Sequence, residues 1–474
     1  MTSLTAIGER LQAVLDDRSS KGDVAGAVVG ISIGDEQLVL AHGSANLNTG
    51  QPFTEDTGFL LGSVTKVLVT TALLRFVERG LVDLDAPVKR YLPDFVLSDR
   101  DAAERITVRM LVNHTNGIDS DTLCPASVRG RDATRHYMTY LAKLGVLFEP
   151  GTSLTYSNPG FVIAARIMEE LTGTPFERAI QTELFDPAGM RDATALQTQA
   201  FLRRTAVGAF ISPDTGELKA SHVFTLGEGL AGGGTTLIVS PQDMLAFGRM
   251  HLKGGLAADG TRVLGDELVT AMRTTSFDLG IPQAPPMGLG WWAYPIAGTT
   301  AYHHAGGSPG GTSSFCIIPE YDAVIISFAT GPGTGPLQDE LHNAAIEELT
   351  GRSVVPPFEP DPQPIPADLA GEYRSFQHHA RVEVKGDELL LTMRYQPCDE
   401  EHREFFKDMF STTRFPPVTY RSIAPGQFLA VGAEPKDYSG FLGRSSKLLA
   451  ALPATPARCM GLHTILRYTP KISG

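Results

Sequence analysis

Cysteine is scarce in this chain, and the little there is lies scattered. Its 474 residues hold four, Cys124, Cys316, Cys398 and Cys459, with no C-x-x-C spacing among them. A structural zinc site is therefore not expected, and the four read as reduced thiols of a cytosolic protein. Positive charge is also in deficit. Forty Lys and Arg stand against 53 Asp and Glu, a formal net charge of −13 with no basic block, which excludes nucleic acid or an anionic membrane as the main partner. No eighteen uncharged apolar residues run together, so no transmembrane helix is expected. The opening stretch "MTSLTAIGERLQAVLDDRSSKGD" lacks the basic start and continuous apolar run of a signal peptide. Its apolar residues Leu4, Ile7, Leu11, Val14 and Leu15 have helical spacing instead. Repeats and low-complexity tracts are missing too. The expectation is a cytoplasmic protein.

What is present is enough apolar material, 42% of the residues, for a large core and more than one domain. The clearest boundary is "SVVPPFEPDPQPIPADL", residues 353–369, whose six prolines favour an extended, semi-rigid segment. The expected division is a mixed unit over 1–352, a linker over 353–366 and a small antiparallel barrel over 367–474. In the first unit, Val24–Gly43 reads as a hairpin turning at Gly34-Asp35. Helical patterns cover 63–80, 134–143, 159–172, 176–184, 241–252 and 337–351, and short β-rich runs appear near residues 289–330. Strands at both ends with helices between predict one antiparallel sheet, its N- and C-terminal strands adjacent, flanked by helices. Beyond the linker, "LAGEYRS", "ARVEVKGDELLLTMRYQ", "TYRSIA", "GQFLAVGAE" and "HTILRYTP" read as the strands of the barrel.

"FLLGSVTKVLVTTALLRFVERG" puts Ser63 and Lys66 three residues apart at the head of an apolar, helix-periodic stretch. With 27 Ser and 11 Lys in the chain, chance supplies about 0.6 such pairs, so the pair alone decides nothing. Two other motifs fail on context. "GGSPG" (306–310) matches a nucleophile elbow but runs into a strand rather than a helix. "GEGLAG" (227–232) matches a dinucleotide fingerprint, but no βαβ unit surrounds it. No cofactor and no metal are expected.

Further signals accompany Ser63 and Lys66. "EPGTSLTYSNPGF" offers Tyr156 and Asn158 in a turn before a helix, "YHHAGGSPGG" offers His304 and Gly306 on a strand, and "LVNHTNGI" supplies His114 in a turn. Taken singly, each is ordinary turn chemistry. Their order, with "RGLVDLDAPVKRYLP" and "MGLGWW", resembles the penicillin-recognising serine enzymes: class C β-lactamases, DD-peptidases, D-aminopeptidases and related esterases. The resemblance spans roughly residues 5–350 and implies an all-helical subdomain beside an α/β subdomain, with the site in the cleft between.

The residue chemistry agrees with that resemblance. Lys66 lies one helical turn from Ser63, on the same face. A helix N-terminus favours negative charge developing on the Ser63 oxygen. Lys66 in an apolar cleft is expected to lose part of its preference for a proton. Ser63 is thus the expected nucleophile. The resemblance implies Tyr156 as the proton carrier to the leaving group and Asn158 as a ligand for a substrate carbonyl that also steadies Lys66. It implies an oxyanion hole from the backbone N–H groups of Ser63 and Gly307. His304-Ala305-Gly306 stands where many β-lactamases have Lys-Thr-Gly. That removes a permanent cation, so strong β-lactamase activity is not expected, and His304 and Gly306 become substrate-binding positions.

A catalytic unit of this kind with one lipocalin-like barrel behind it resembles the stand-alone penicillin-binding-protein-type thioesterases, which cyclise nonribosomal peptides ending in a D-residue. The resemblance implies a peptidyl thioester substrate, a peptide-synthetase carrier protein as partner, and a barrel arginine reaching the site. Arg444 is the expected arginine, with Arg458 as the other candidate. The alternative is plain hydrolysis of D-amino-acid amides, D-residue peptides or esters. A catalytically dead binding protein on the same scaffold is a third reading, disfavoured by the intact Ser63, Lys66, Tyr156 and Asn158 set.

Overall fold

The computed structural model describes residues 3–119, 130, 132–355, 360–376, 378–397, 400, 403 and 414–472. Strand Gly26–Ile33 shows why the first unit folds as it does. Its Val28 faces one core, while Ala27, Val29 and Ile31 face another, the two-residue alternation of a strand covered on both sides. It turns through Gly34 and Asp35 into Glu36–Asn46, and Gly34 takes the left-handed conformation such a turn needs. On its other edge it pairs antiparallel with Ala323–Thr330. The chain ends of this unit thus meet in mid-sheet, as the sequence pattern predicts.

The full order of the seven-stranded antiparallel sheet is 51–52, 36–46, 26–33, 323–330, 311–318, 299–308, 292–296. Helices Leu4–Ser20 and Thr334–Thr350 pack together over one face. The other face carries helix Pro241–Leu252 and, with it, the larger core of the helical region. Two helices differ at their ends from the expected spans. The helix expected from residue 63 begins at Thr65, behind a 3-10 turn over Gly62–Val64. The helix expected over 176–184 is α-helical only from Phe176 to Ile180 and then widens into a π-turn over Gln181–Phe185. The Glu183 carbonyl in that turn accepts from the Arg75 guanidinium.

The C-terminal part is a nearly closed eight-stranded antiparallel barrel, each strand next to its sequence neighbour from Gly371–Arg374 to Arg467–Pro470. A bridge between Tyr373 and Lys471 brings the first strand to the last. Between the strands Gln427–Ala430 and Leu448–Leu452 the chain leaves the wall as two short helices, Pro435–Ser439 and Phe441–Lys447. The second docks on the catalytic unit. Buried Asp339 accepts the backbone N–H of Leu442 (3.0 Å) and Gly443 (2.7 Å), and the Phe441 ring stacks 3.8 Å from that of His303.

Cys316 is a buried free thiol and Cys459 an exposed one; Cys124 and Cys398 lie outside the described residues. No described helix is long and apolar enough to cross a membrane.

Candidate active site

Ser63 is placed by glycine. Gly62 has a φ of +59°, and a Cβ there would stand 2.7 Å from the Gly307 nitrogen. A Cβ on Gly306 would stand 2.2 Å from the Leu61 carbonyl and 2.9 Å from the Ser63 nitrogen. Only glycine lets strand Thr299–Ser308 come this close to the turn before helix Thr65–Glu78. The closeness sets the Ser63 and Gly307 amides side by side. Ser63 is partly accessible and Gly307 exposed, so the spot is reached from solvent.

Lys66 is completely buried, and its Nζ donates to Ser63 Oγ (3.1 Å) and to the Gly233 carbonyl (2.5 Å). That carbonyl belongs to a 3-10 turn over Glu228–Gly233, which overlaps the stretch 227–232 whose glycines look like a dinucleotide fingerprint. The stretch is a wall of the site. A Cβ on Gly232 would meet the Phe161 carbonyl at 2.5 Å, and one on Gly234, where φ is +123°, would meet the Gly62 carbonyl at 2.4 Å. Sequence reasoning passed over this wall because a backbone carbonyl has no residue signature. The run Gly232-Gly233-Gly234 was the one available signal.

Tyr156 closes the other side. Its ring lies 4.8 Å from Lys66 Nζ and 4.6 Å from the His114 ring. Buried His114 has a φ of +62°, and its Nδ1 accepts the Ser157 N–H at 2.9 Å, which fixes the turn that carries Tyr156. Ser157 in turn caps helix Asn158–Thr172 by accepting the Gly160 N–H. Asn158, the first residue of that helix, packs on Gly233 with its Cβ 3.6 Å from where a Cβ would stand.

His304 is buried, its ring 6.1 Å from that of Tyr156. Its Nδ1 donates to the Ala305 carbonyl at 2.7 Å, while Nε2 has no partner among the described residues. Burial and then the nearby Lys66 charge push the imidazole down to about 3. A neutral ring with its proton on Nδ1 offers a bare acceptor at Nε2. His114 is held well below the usual histidine range by the same two causes. Ser308 ends its strand in a tight turn to strand Gly311–Ile318, so no elbow forms there.

The barrel brings three arginines toward the catalytic unit. Arg444 lies 5.5 Å over the Tyr294 ring, on the helix that docks against Asp339. Arg458 donates to Ser153 Oγ at 2.9 Å. The arginine over the Tyr156 ring is Arg467, at 5.1 Å, on the last strand of the barrel. The hairpin tip beside it accepts the Tyr156 N–H at the Leu466 carbonyl (2.8 Å), and the Tyr468 N–H donates to Thr155 Oγ1 (3.1 Å). The structure thus gathers Ser63, Lys66, Tyr156, Asn158, His304, Gly306 and Gly307, adds Arg467 and Gly233, and leaves Arg444 outside.

Residues 11–349 match the Beta-lactamase family. Penicillin-binding protein 4 of Amycolatopsis lactamdurans is 30% identical over 368 residues, covering 76% of this chain and 96% of its own. Among solved structures, SurE with D-Leu superposes with a TM-score of 0.73 at 22% identity, covering 99% of this chain and 100% of its own. D-amino acid amidase from Ochrobactrum anthropi SV3 gives 0.62 at 23% identity, covering 73% and 99%. The first of these two likenesses includes the barrel; the second matches the length of the catalytic unit alone.

Proposed function

The chain belongs to the Beta-lactamase family and is a serine hydrolase of that family, and on that premise we propose that it works as a peptide-cyclising thioesterase. Ser63 Oγ attacks the carbonyl of a peptidyl thioester whose last residue is D. The C–S bond breaks, the C–O bond of the acyl-enzyme forms, and the thiol leaves with a proton delivered through Tyr156. Neutral Lys66 has two N–H groups and one lone pair. Donating one N–H to the Gly233 carbonyl leaves the lone pair for the Ser63 hydroxyl proton, with Oγ 3.1 Å from Nζ. The Ser63 and Gly307 amides hold the oxyanion, worth about 3–4 kcal/mol per donor. Asn158 and the His304 acceptor bind the amide groups of the substrate backbone. The peptide's own amine then attacks the ester, a C–N bond forms as the C–O bond breaks, and Ser63 regains its proton.

One observation carries the transfer reading. The barrel's last hairpin sits on the catalytic turn, with Arg467 5.1 Å from the Tyr156 ring and the Leu466 carbonyl bound to the Tyr156 N–H. A hydrolase needs only water at the acyl-enzyme. A cyclase gains from a wall that limits water and holds the amine close, where orientation is worth about 7–11 kcal/mol. The thioester is taken to arrive on a carrier protein of a peptide synthetase. The D-amino acid amidase likeness supports the second reading, hydrolysis of D-amino-acid amides, D-residue peptides or esters, by fold alone.

The test is a peptidyl thioester with a D-residue at its C-terminus and a free L-residue amine, followed by mass spectrometry of the product and by thiol release. The expected product is mainly cyclic, with the adduct of a fluorophosphonate on Ser63. Arg467→Ala should shift product toward linear acid more than it slows thiol release, and Arg444→Ala should not. Only linear acid from several such thioesters, with fast cleavage of D-amino-acid amides, sinks the cyclase and leaves the hydrolase.

A further inference from the structure

An eight-stranded barrel is just wide enough to be filled by its own side chains or to hold one small ligand. This barrel does one at each end. At the closed end, Leu389, Ala380, Val382, Phe428, Leu449 and Leu462 form a continuous buried core. Along strand Glu388–Tyr395 the inward-facing residues then become steadily less buried, from Leu389 and Leu391 to Met393 and Tyr395. There the interior becomes a cavity of about 300 Å³. Open at the barrel mouth, a hollow of this size has room for one small ligand or one bulky side chain.

The two sides of the cavity differ. Met393, Leu391, Phe415 and Val418 make one side apolar, and Thr464, Thr469 and Arg467 make the other polar. The register pairs Thr464 with Arg467 across the last hairpin. That hairpin's tip is Ile465 and Leu466, with φ values of +47° and +65°. A two-residue turn with both φ positive is normally built from Asn and Gly. A β-branched residue there is strained, and such strain persists where surrounding contacts over-determine the backbone, commonly at functional sites. Here the contact is the Tyr156 N–H on the Leu466 carbonyl. Arg467 consequently lines the barrel cavity while its guanidinium lies over the catalytic tyrosine, and the cavity and the Ser63 site share one wall.

We propose that the barrel mouth is a second binding site, taking one bulky apolar side chain of the substrate while Arg467 holds the carbonyl or carboxylate of the same residue. The assignment of the ligand as substrate rests on the acyl-enzyme reading of Ser63; the binding itself does not. The amphipathic lining fixes the chemistry: an apolar body against Met393 and Val418, an oxygen acceptor at the arginine. The barrel would thereby choose which residue stands next to the acyl-enzyme, as well as cover it.

Binding is measured on the full chain carrying Ser63→Ala, with 1-anilinonaphthalene-8-sulfonate, an apolar ring body bearing an anionic head, as fluorescent probe. Saturable single-site binding is expected, displaced by N-acetylphenylalanine and not by N-acetylglycine. Met393→Trp, which fills the cavity, and Arg467→Ala should each weaken the probe by about tenfold or more, the loss of one good set of contacts. Val418→Phe on the neighbouring strand is the second filling variant, should Met393→Trp fold poorly. On the Ser63 enzyme, Met393→Trp should raise KM for thioesters bearing a bulky residue at the free amine end and leave those bearing glycine unchanged. Probe binding that ignores both filling variants while they melt like the parent chain overturns the site. Probe binding that behaves as expected in a protein whose Ser63 takes no fluorophosphonate adduct keeps the site and overturns the acyl-enzyme reading instead.

Discussion

At the scale of single residues, the proposed chemistry turns on one buried amine with several neighbours. Lys66 is held between Ser63 Oγ and the Gly233 carbonyl, and its Nζ lies 4.8 Å from the Tyr156 ring, so the proposed chemistry has lysine and tyrosine share one proton route. Residues that act as a unit lose their effect together. Lys66→Ala, Tyr156→Phe and the double variant should therefore have similar residual rates of thiol release, each about 10³-fold or more below the parent enzyme. Full additivity of the two losses in the logarithm of the rate would show two separate roles. His304 belongs at this scale as well. Held down to about 3, it stays neutral through any pH at which the enzyme is assayed, and so should not contribute a histidine limb near pH 6.5.

At the scale of elements, three short glycine-bearing segments meet at Ser63: the turn before its helix, strand Thr299–Ser308, and the 3-10 turn ending at Gly233. Gly234, just past the last of these segments, is one of the tight joints. Its φ of +123° suits glycine alone, and any Cβ would drive into the Gly62 carbonyl. Gly234→Ala should cost about 1–3 kcal/mol from the dihedral alone. Because relief moves Gly62 and with it the Ser63 amide, kcat should fall about 10²-fold. Thermal melting and kcat measured together decide the matter: a stable protein with unchanged kcat would mean that the joint does not position Ser63. The sequence shows glycines here but not their purpose. Tyr156 and Asn158 could be read from a local motif, since the Ser157 cap and the helix it starts are local. The Gly233 carbonyl could not, since it reaches Lys66 from 167 residues away.

At the scale of the whole molecule, a large buried histidine population makes the fold sensitive to acid. His251, His304, His342 and His463 are each pushed by burial from 6.5 down to about 3, and burial also holds His114 and His303 well below 6.5. The unfolded chain takes up these protons near pH 6.5, and the folded chain does not. Stability is therefore untouched above that pH and falls as pH drops below it, each histidine adding a slope approaching about 1.4 kcal/mol per unit. Buried Asp339, raised to about 6, works in the opposite sense, as do Glu169 and Asp243, whose carboxyls burial also raises. Three carboxyls oppose six histidines. The urea midpoint should therefore fall steadily between about pH 7 and pH 4.5. A midpoint flat or rising over that range would mean that these rings are protonated in the folded protein.

The sequence by itself determined the two sheets and the core of the site. Strand alternation, turn glycines and helix caps are local, and each acts within a few residues of the side chain it places. Ser63 and Lys66 are set close by their three-residue spacing, across the 3-10 turn and the start of the helix, and the apolar pattern of the first and last strands leaves them little choice but to pair. The tertiary structure decided which arginine the barrel presents. Arg444 and Arg458, the two expected candidates, fall between predicted strands and Arg467 falls within one, and nothing local marks any of them as the arginine at the site. What separates them is docking: the 441–447 helix is drawn to Asp339 and His303, carrying Arg444 away, while the 465–466 tip is drawn to Tyr156, carrying Arg467 in. Those contacts join residues 103 and more apart in the chain, and no local pattern encodes a partner at that distance.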